Sequence, residues 1–225
     1  MPPSIPAVAD VPASVPTATR RDLQLGRRFF HLTNGVAVAT AYALFFTHQQ
    51  LVHLFGTIAC VAYIADRIRI HYPEALARLP WLNRVFFRAE ERWKESAMIP
   101  YAIAVLLTIL TFPKPIAMIA IYTLGIADPL AAVVGIRWGR REVVPDRSVE
   151  GMTAFLVATL AVAATVLTFT TTAPWTSVAG VAILIAVAAS LFELVPLRID
   201  DNLTIPLFVG FTSWILCAVF GIAVA

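Results

Sequence analysis

GIADPLAAVVGIRWGRREVVPDRSVEG, residues 125–151, begins inside an apolar run of membrane grade and ends in a short basic loop. On a helix, Gly125, Asp128, Ala132, Gly135 and Gly139 follow one another at steps of three or four residues and therefore share a face. That face carries one carboxylate among residues with almost no side chain. A carboxylate at mid-helix costs roughly 2.5–3.5 kcal/mol on membrane-insertion scales, so Asp128 belongs inside a bundle and not against lipid. Pro129 cannot donate to the carbonyl of Gly125, and its ring crowds that same carbonyl. The helix is therefore expected to open beside the acid, as helices do where they line a polar cavity. Arg137, Arg140, Arg141 and Arg147 follow closely. An intramembrane acid succeeded by clustered guanidinium groups predicts a metal and polyphosphate site at the membrane surface.

The rest of the 225 residues fit that reading. With 59% hydrophobic and 14% charged residues and a mean hydropathy of +0.79, the composition excludes a water-soluble domain. It predicts an all-α, polytopic integral membrane protein. Apolar runs of spanning length are read at Phe30–Phe46, Leu51–Ile68, Ala97–Phe112, Pro115–Val134, Met152–Thr170, Ser177–Val195 and Leu203–Ala225, about seven transmembrane helices. The first and third are short, and call for tilt, an interfacial position or extension by their flanks. Placing the N-terminus in the cytoplasm puts every one of the 17 Lys and Arg residues except Lys114 on the cytoplasmic side, which fixes the orientation as N-in, C-out. A cytoplasmic membrane location, with the polar loops facing the cytoplasm, follows.

Residues 1–19 are mostly Pro, Ala, Ser, Val and Thr with one Asp and no periodicity, and read as a disordered tail without the apolar core of a signal peptide. Residues 20–225 read as one helical domain. Within it, residues 69–94 mix Trp81, Leu82, Val85, Phe86 and Phe87 with arginines, the pattern of an interfacial helix on the inner leaflet. A plain connector with membrane-attracted arginines fits the same residues. Lysine is confined to Lys94 and Lys114 while arginine is abundant; Arg is the better bidentate partner for phosphate, although a GC-rich genome produces the same bias. Cys60 and Cys217 lack metal-type spacing and read as packing residues.

Three polar islands stand at the cytoplasmic helix ends. In the first, Arg28, His31 and Gly35 share a face at the start of span one. The second is the central stretch, closed by Ser148 and Gly151 at the start of span five, where free backbone amides could hold a phosphate; an ordinary N-cap by Ser148 explains the same residues. The third runs from Glu193 to Pro206, where Asp200, Asp201 and Asn202 offer oxygen ligands suited to Mg²⁺ shared with phosphate, or equally cap span seven. Walker A, kinase catalytic-loop, His-Glu-x-x-His and nucleophile-elbow signatures are all missing.

Arg28-x-x-His31-x-x-x-Gly35, Asp128-x-x-Ala131-x-x-x-Gly135-x-x-x-Gly139 leading to Ser148-x-Glu150-Gly151, and Glu193 with Asp200-Asp201-Asn202-x-x-x-Pro206 resemble the polyprenol kinase family, which includes dolichol kinase, phytol kinase and CTP-dependent diacylglycerol kinase. Asp66-x-x-Arg69 and Arg88-x-x-Glu91 resemble the family's connecting loop. The chain departs from the family at Pro129, where another small or acidic residue is usual, and at Arg147, where a lysine is usual. The resemblance implies transfer of the terminal phosphate of CTP to the hydroxyl of a membrane lipid. The acceptor is an isoprenoid alcohol of the polyprenol, dolichol or phytol kind, or diacylglycerol.

On that reading Asp128, His31 or Glu193 serves as base. Asp128, Asp200, Asp201 and Asn202 hold Mg²⁺, and Arg28, Arg137, Arg140, Arg141 and Arg147, with Ser148 and Gly151, bind the nucleotide's phosphates. The partners are then a lipid alcohol, a nucleoside triphosphate and the bilayer, with no nucleic acid. The acceptor, the preference for CTP and the oligomeric state are not readable from the residues. Two rivals stay open: a phosphatidate cytidylyltransferase-like enzyme, which would release pyrophosphate, and a transporter using Asp128 as an ion site. The Pro-Gly-His-Gly-Gly run of true CDP-diacylglycerol synthases is absent.

Overall fold

The computed structural model describes residues 25–71, 98–145, 147–197 and 199–224. The tail of residues 1–19, Arg88, Glu91 and most of the segment read as interfacial lie outside the described residues. Helix α1 is Leu25–Leu44, α2 His48–His71 and α3 Met98–Thr111. A long central helix follows, made of α4 (Lys114–Tyr122), a π-helical turn (Thr123–Ala127) and α5 (Asp128–Trp138). Strands β1 (Glu142–Val144) and β2 (Arg147–Ser148) pair antiparallel, and α6 (Val149–Thr170), α7 (Trp175–Glu193) and α8 (Asp201–Val219) complete the chain.

The protein is thus an all-α polytopic membrane protein, with one small hairpin where the sequence predicts only a short basic loop. Among the described residues, five helices are long and apolar enough to cross a membrane: His48–Ile68, Lys114–Trp138, Val149–Thr170, Trp175–Glu193 and Asp201–Val219. The 20-residue α1 and a shorter apolar helix, Tyr101–Thr111, supply the other two expected segments. Helix α1 begins at Leu25, so its short apolar run is lengthened by the polar flank, which carries Arg28 and His31 on the helix itself. The last span ends at Val219 and not at Ala225. Gly221 takes φ 67°, its N–H bonds the carbonyl of Ala218, and the N–H of Ile222 bonds that of Cys217. This is a Schellman arrangement, and only glycine enters it without penalty.

The central helix is the axis of the bundle. Pro115 to Ile121 are buried without interruption, the signature of a helix surrounded by others, and it packs against α1, α3, α6 and α8. Pro129 does not break it. The missing donor and the crowded carbonyl of Gly125 are accommodated by widening the preceding turn, so that the N–H of Asp128 reaches back to the carbonyl of Thr123. The helix continues to Trp138 with Pro129 buried.

Helix α1 runs against the central helix in the opposite direction, joined at successive levels. Lys114 Nζ donates to the carbonyls of Ala43 and Phe46 at the C-terminal end of α1, and its ammonium lies 5.1 Å from the centre of the Tyr42 ring. Charge and orphan carbonyls neutralise each other there, which accounts for the one basic residue on the otherwise uncharged side of the bundle. Further along, Thr40 Oγ1 and Tyr122 Oη are 2.8 Å apart. Next the two backbones touch: a Cβ built on Gly125 would stand 2.8 Å from Gly35 Cα and 3.1 Å from Gly35 C, and one built on Gly35 would stand 2.5 Å from Gly125 Cα.

Because both obstacles are backbone, neither can rotate away. Gly125→Ala should lower stability by about 1–3 kcal/mol, the usual cost of overpacking, seen as a fall in the thermal midpoint in detergent. Gly180→Ala, where a Cβ meets nothing within 4 Å, should leave the midpoint unchanged or raise it.

Candidate functional site

The Gly35–Gly125 contact sets the level of the site. On antiparallel helices, His31 lies four residues from Gly35 and Asp128 three residues from Gly125, in the same direction along the bundle, so both stand about one turn beyond the crossing. There a cavity of about 1280 Å³ opens, with Arg28, His31 and Asp128 in its lining. Ala132, Gly135 and Gly139 line it as well, so the small-residue face of the central helix is the face that borders the open space. Asp128 is half-buried, at the first residue after the π turn. His31 meets the ring of Tyr101 on α3 edge-on, with centroids 5.6 Å apart and planes at 89°.

The lining also includes Arg140, Arg147, Ser148 and Gly151 from the hairpin region, and Glu193, Asp200, Asp201 and Asn202 from the α7–α8 turn. Arg137 and Arg141 are not among the lining residues. Both are exposed, and Arg137 lies over the ring of Trp138, 5.4 Å from its centre. The structure therefore gathers the three polar islands around one space and leaves two of the five arginines outside it.

The local chemistry explains how these loops hold their shape. Ser148 caps α6, its Oγ accepting from the N–H of Gly151 at 3.1 Å. Gly135, Gly139 and Gly151 crowd around that hydroxyl, and a Cβ on Gly151 would stand 2.9 Å from the carbonyl oxygen of Ala131, so α5 and α6 approach at backbone distance. Glu150, in the first turn of α6, accepts from the N–H of Arg140 at 3.1 Å. The N–H of Val149 donates to the carbonyl of Arg141 at 2.9 Å, closing the loop onto the helix start. In the third island Asp200 is the N-cap of α8, its Oδ1 accepting from the backbone N–H of Asn202 at 2.9 Å and from Asn202 Nδ2 at 2.8 Å.

Arg147 joins the second island to the third. Its guanidinium pairs with Glu193, whose side chain is 5% exposed, and donates from Nη2 to Asp201 Oδ2 at 2.9 Å. One cation thus bridges the end of α7, the start of α8 and the hairpin. Sequence spacing gives no hint of this pairing, since Arg147 and Asp201 are 54 residues apart. The hairpin did leave a local signal, Val143-Val144 followed by Pro145 and Asp146, a β-branched pair running into a turn.

Among the described residues, no three His, Cys, Asp or Glu side chains form a cluster able to hold a metal alone. Asp128, Glu142, Glu193, Asp200, Asp201 and Asn202 bring oxygen donors to the cavity lining, beside the imidazole of His31. Such a set fits Mg²⁺, which is usually held by one or two carboxylates together with substrate phosphates and water.

No family model matches the chain, and no solved structure matches it. It is similar to two plant proteins. One is named "Probable phytol kinase 1, chloroplastic", from Oryza sativa subsp. japonica, 23% identical over 209 aligned positions covering 85% of this chain and 64% of the rice protein. The other, "Probable phytol kinase, chloroplastic" from Triticum aestivum, is also 23% identical over 209 positions, covering 85% of this chain and 67% of the wheat protein. The chain therefore spans about two thirds of the length of these relatives.

Removing Arg147 leaves the buried Glu193 without its cation. Arg147→Met should cost on the order of 3 kcal/mol, as when one partner of a buried pair is lost, and Glu193→Gln added to it should restore much of that loss. A thermal-unfolding double-mutant cycle in detergent reads both effects, and strictly additive losses would mean the pair contributes nothing.

Proposed function

We propose that the protein is a membrane lipid kinase that transfers the terminal phosphate of CTP to the hydroxyl of a long-chain isoprenoid alcohol of the phytol or polyprenol kind. The observation that carries this reading is the convergence of Asp128, Arg28, Arg140 and Arg147 with the Asp200–Asn202 turn on one cavity at the polar end of an apolar bundle. The likeness to two proteins named as probable phytol kinases supports it, as does the family resemblance of the motifs, from which the choice of CTP is taken. On this reading the orientation favoured by the charge distribution would put the cavity at the cytoplasmic face of the membrane.

Phosphoryl transfer asks for positioning and charge neutralisation more than for covalent participation of the protein. Asp128, with Asp200, Asp201 or Asn202, would hold Mg²⁺, which supplies positive charge to the β- and γ-phosphates when bound. Arg28 and Arg140 supply guanidinium donors to the remaining phosphate oxygens, and Arg147 adds a third once its carboxylate partners are engaged elsewhere. The alcohol oxygen forms a bond to the γ-phosphorus while the bond from that phosphorus to the β-phosphate's bridging oxygen breaks. The products are the lipid monophosphate and CDP. The alcohol proton passes to a group at the cavity, for which Asp128, His31 and Glu193 are the available acceptors.

Asp128→Asn removes the one charged carboxylate on the central helix while preserving its shape. It should reduce lipid phosphorylation by about 100-fold or more, in the range seen when a charge-stabilising group is lost, with unchanged yield and thermal midpoint. Chromatography of both products after incubation with a panel of lipid alcohols and CTP checks this. CDP supports the kinase reading, pyrophosphate would indicate cytidylyl transfer, and near-normal activity of the Asn variant would refute the role of Asp128.

A further inference from the structure

The turn between α7 and α8, residues 194–199, is apolar where a helix connection is ordinarily polar. Leu194, Val195, Pro196, Leu197 and Ile199 all line the cavity, bounded by Glu193 before them and Asp200 after them, which line it too; Arg198 lies outside the described residues. Val195, Leu197 and Ile199 are 46%, 41% and 58% exposed, so their hydrocarbon is not used in the core of the bundle. A run of exposed apolar residues carries information that a single exposed leucine does not. Ile136, Val144 and Met152 add apolar side chains to the same lining. The turn is also held in shape. Phe192 stacks on Phe208 of α8, with centroids 3.9 Å apart and planes at 4°. The N–H groups of Leu194, Val195 and Leu197 donate to the carbonyls of Leu191, Phe192 and Val195, and Pro196 has no N–H. With these amides engaged, residues 194–197 do not form an anion-binding row of donors. What they bring to the cavity is hydrocarbon.

We propose that the α7–α8 turn is the chain-binding part of the site, where Val195, Leu197 and Ile199 shield from water the first carbons beyond the hydroxyl of the acceptor alcohol. This rests on the lipid-kinase reading and deepens it, by assigning a surface to the part of the acceptor that joins its hydroxyl to its chain. A hydroxyl brought among carboxylates and arginines draws its neighbouring carbons out of the bilayer with it. Each methylene left in water then weakens binding by about fourfold. Carbons that stay in the bilayer gain nothing by exchanging lipid for protein, so only those near the hydroxyl need an apolar surface at the polar end. A nucleoside triphosphate has no hydrocarbon to set against such a surface. The residues that flank the turn, Glu193 and Asp200, line the same space, so an amphipathic molecule seated there meets polar and apolar groups together.

Leu197→Ser combined with Ile199→Ser removes the apolar surface at two exposed positions, where substitution should leave the thermal midpoint unchanged. The double variant should raise the KM for the lipid alcohol, expressed as its mole fraction in detergent, by about 10-fold, what keeping two methylene groups from water is worth. The KM for CTP should not change. A second measurement does not depend on turnover: photolabelling of the detergent-purified protein by an isoprenoid alcohol with a diazirine near its hydroxyl, set against a phosphatidylcholine with a diazirine in its acyl chain. In wild type the alcohol probe should label residues 194–199 well above the phospholipid probe, and the double variant should lose that excess. If the variant matches wild type in alcohol KM and in labelling, the inference is overturned. Equal labelling of the turn by both probes would make it a bilayer anchor and overturn the inference as well. If the alcohol probe labels the wild-type turn selectively and no triphosphate supports phosphorylation, the chain contact stands and the kinase reading falls. If there is neither selective labelling nor turnover, both fall.

Discussion

Two glycines set the geometry on which everything at the polar end depends. Gly35 and Gly125 let α1 and the central helix meet backbone to backbone, and in a membrane, where apolar side chains gain nothing over lipid by pairing, close approach of small residues is a principal source of helix association. The contact also acts as a reference mark. From it, one turn along each antiparallel helix leads to His31 and to Asp128, so an imidazole and a carboxylate from opposite parts of the chain arrive at one level. The π turn beside Gly125 is part of the same arrangement: it absorbs Pro129 without ending the helix, and it fixes where Asp128 emerges.

The same cavity is also bounded by loops held through charge and caps. Arg147, Glu193 and Asp201 form a bridge at the polar end, and Ser148, Glu150 and Asp200 each satisfy backbone or side-chain donors at a helix start. These capping bonds do not compete with a binding role. An Asp that accepts from Asn202 through one oxygen keeps its other oxygen for a different partner.

Much of this was legible in the sequence. Run lengths located the seven helical segments seen among the described residues, since spanning length and lipid exposure leave few alternatives. The small-residue face with Asp128 was readable from three- and four-residue steps. The hairpin at Glu142–Ser148 was obscured because its strands are three and two residues long, too short for an alternating pattern to register. The end of the last span was misplaced because Gly221 terminates α8 by conformation while the residues after it stay apolar. Pairings between distant segments, Arg147 with Glu193 and His31 with Tyr101, leave no periodic trace at all. They follow from how helices cross, which a local pattern does not encode.

The central claim is that one cavity binds a metal only together with a triphosphate, and the most direct test is electron paramagnetic resonance of Mn²⁺ as a substitute for Mg²⁺. Purified protein should leave most added Mn²⁺ free when no nucleotide is present. Addition of CTP should convert the spectrum to that of a protein-bound ion, and the Asp128→Asn protein should not give this conversion. Tight Mn²⁺ binding without nucleotide, or a Mn²⁺–CTP spectrum identical with and without protein, would contradict the account.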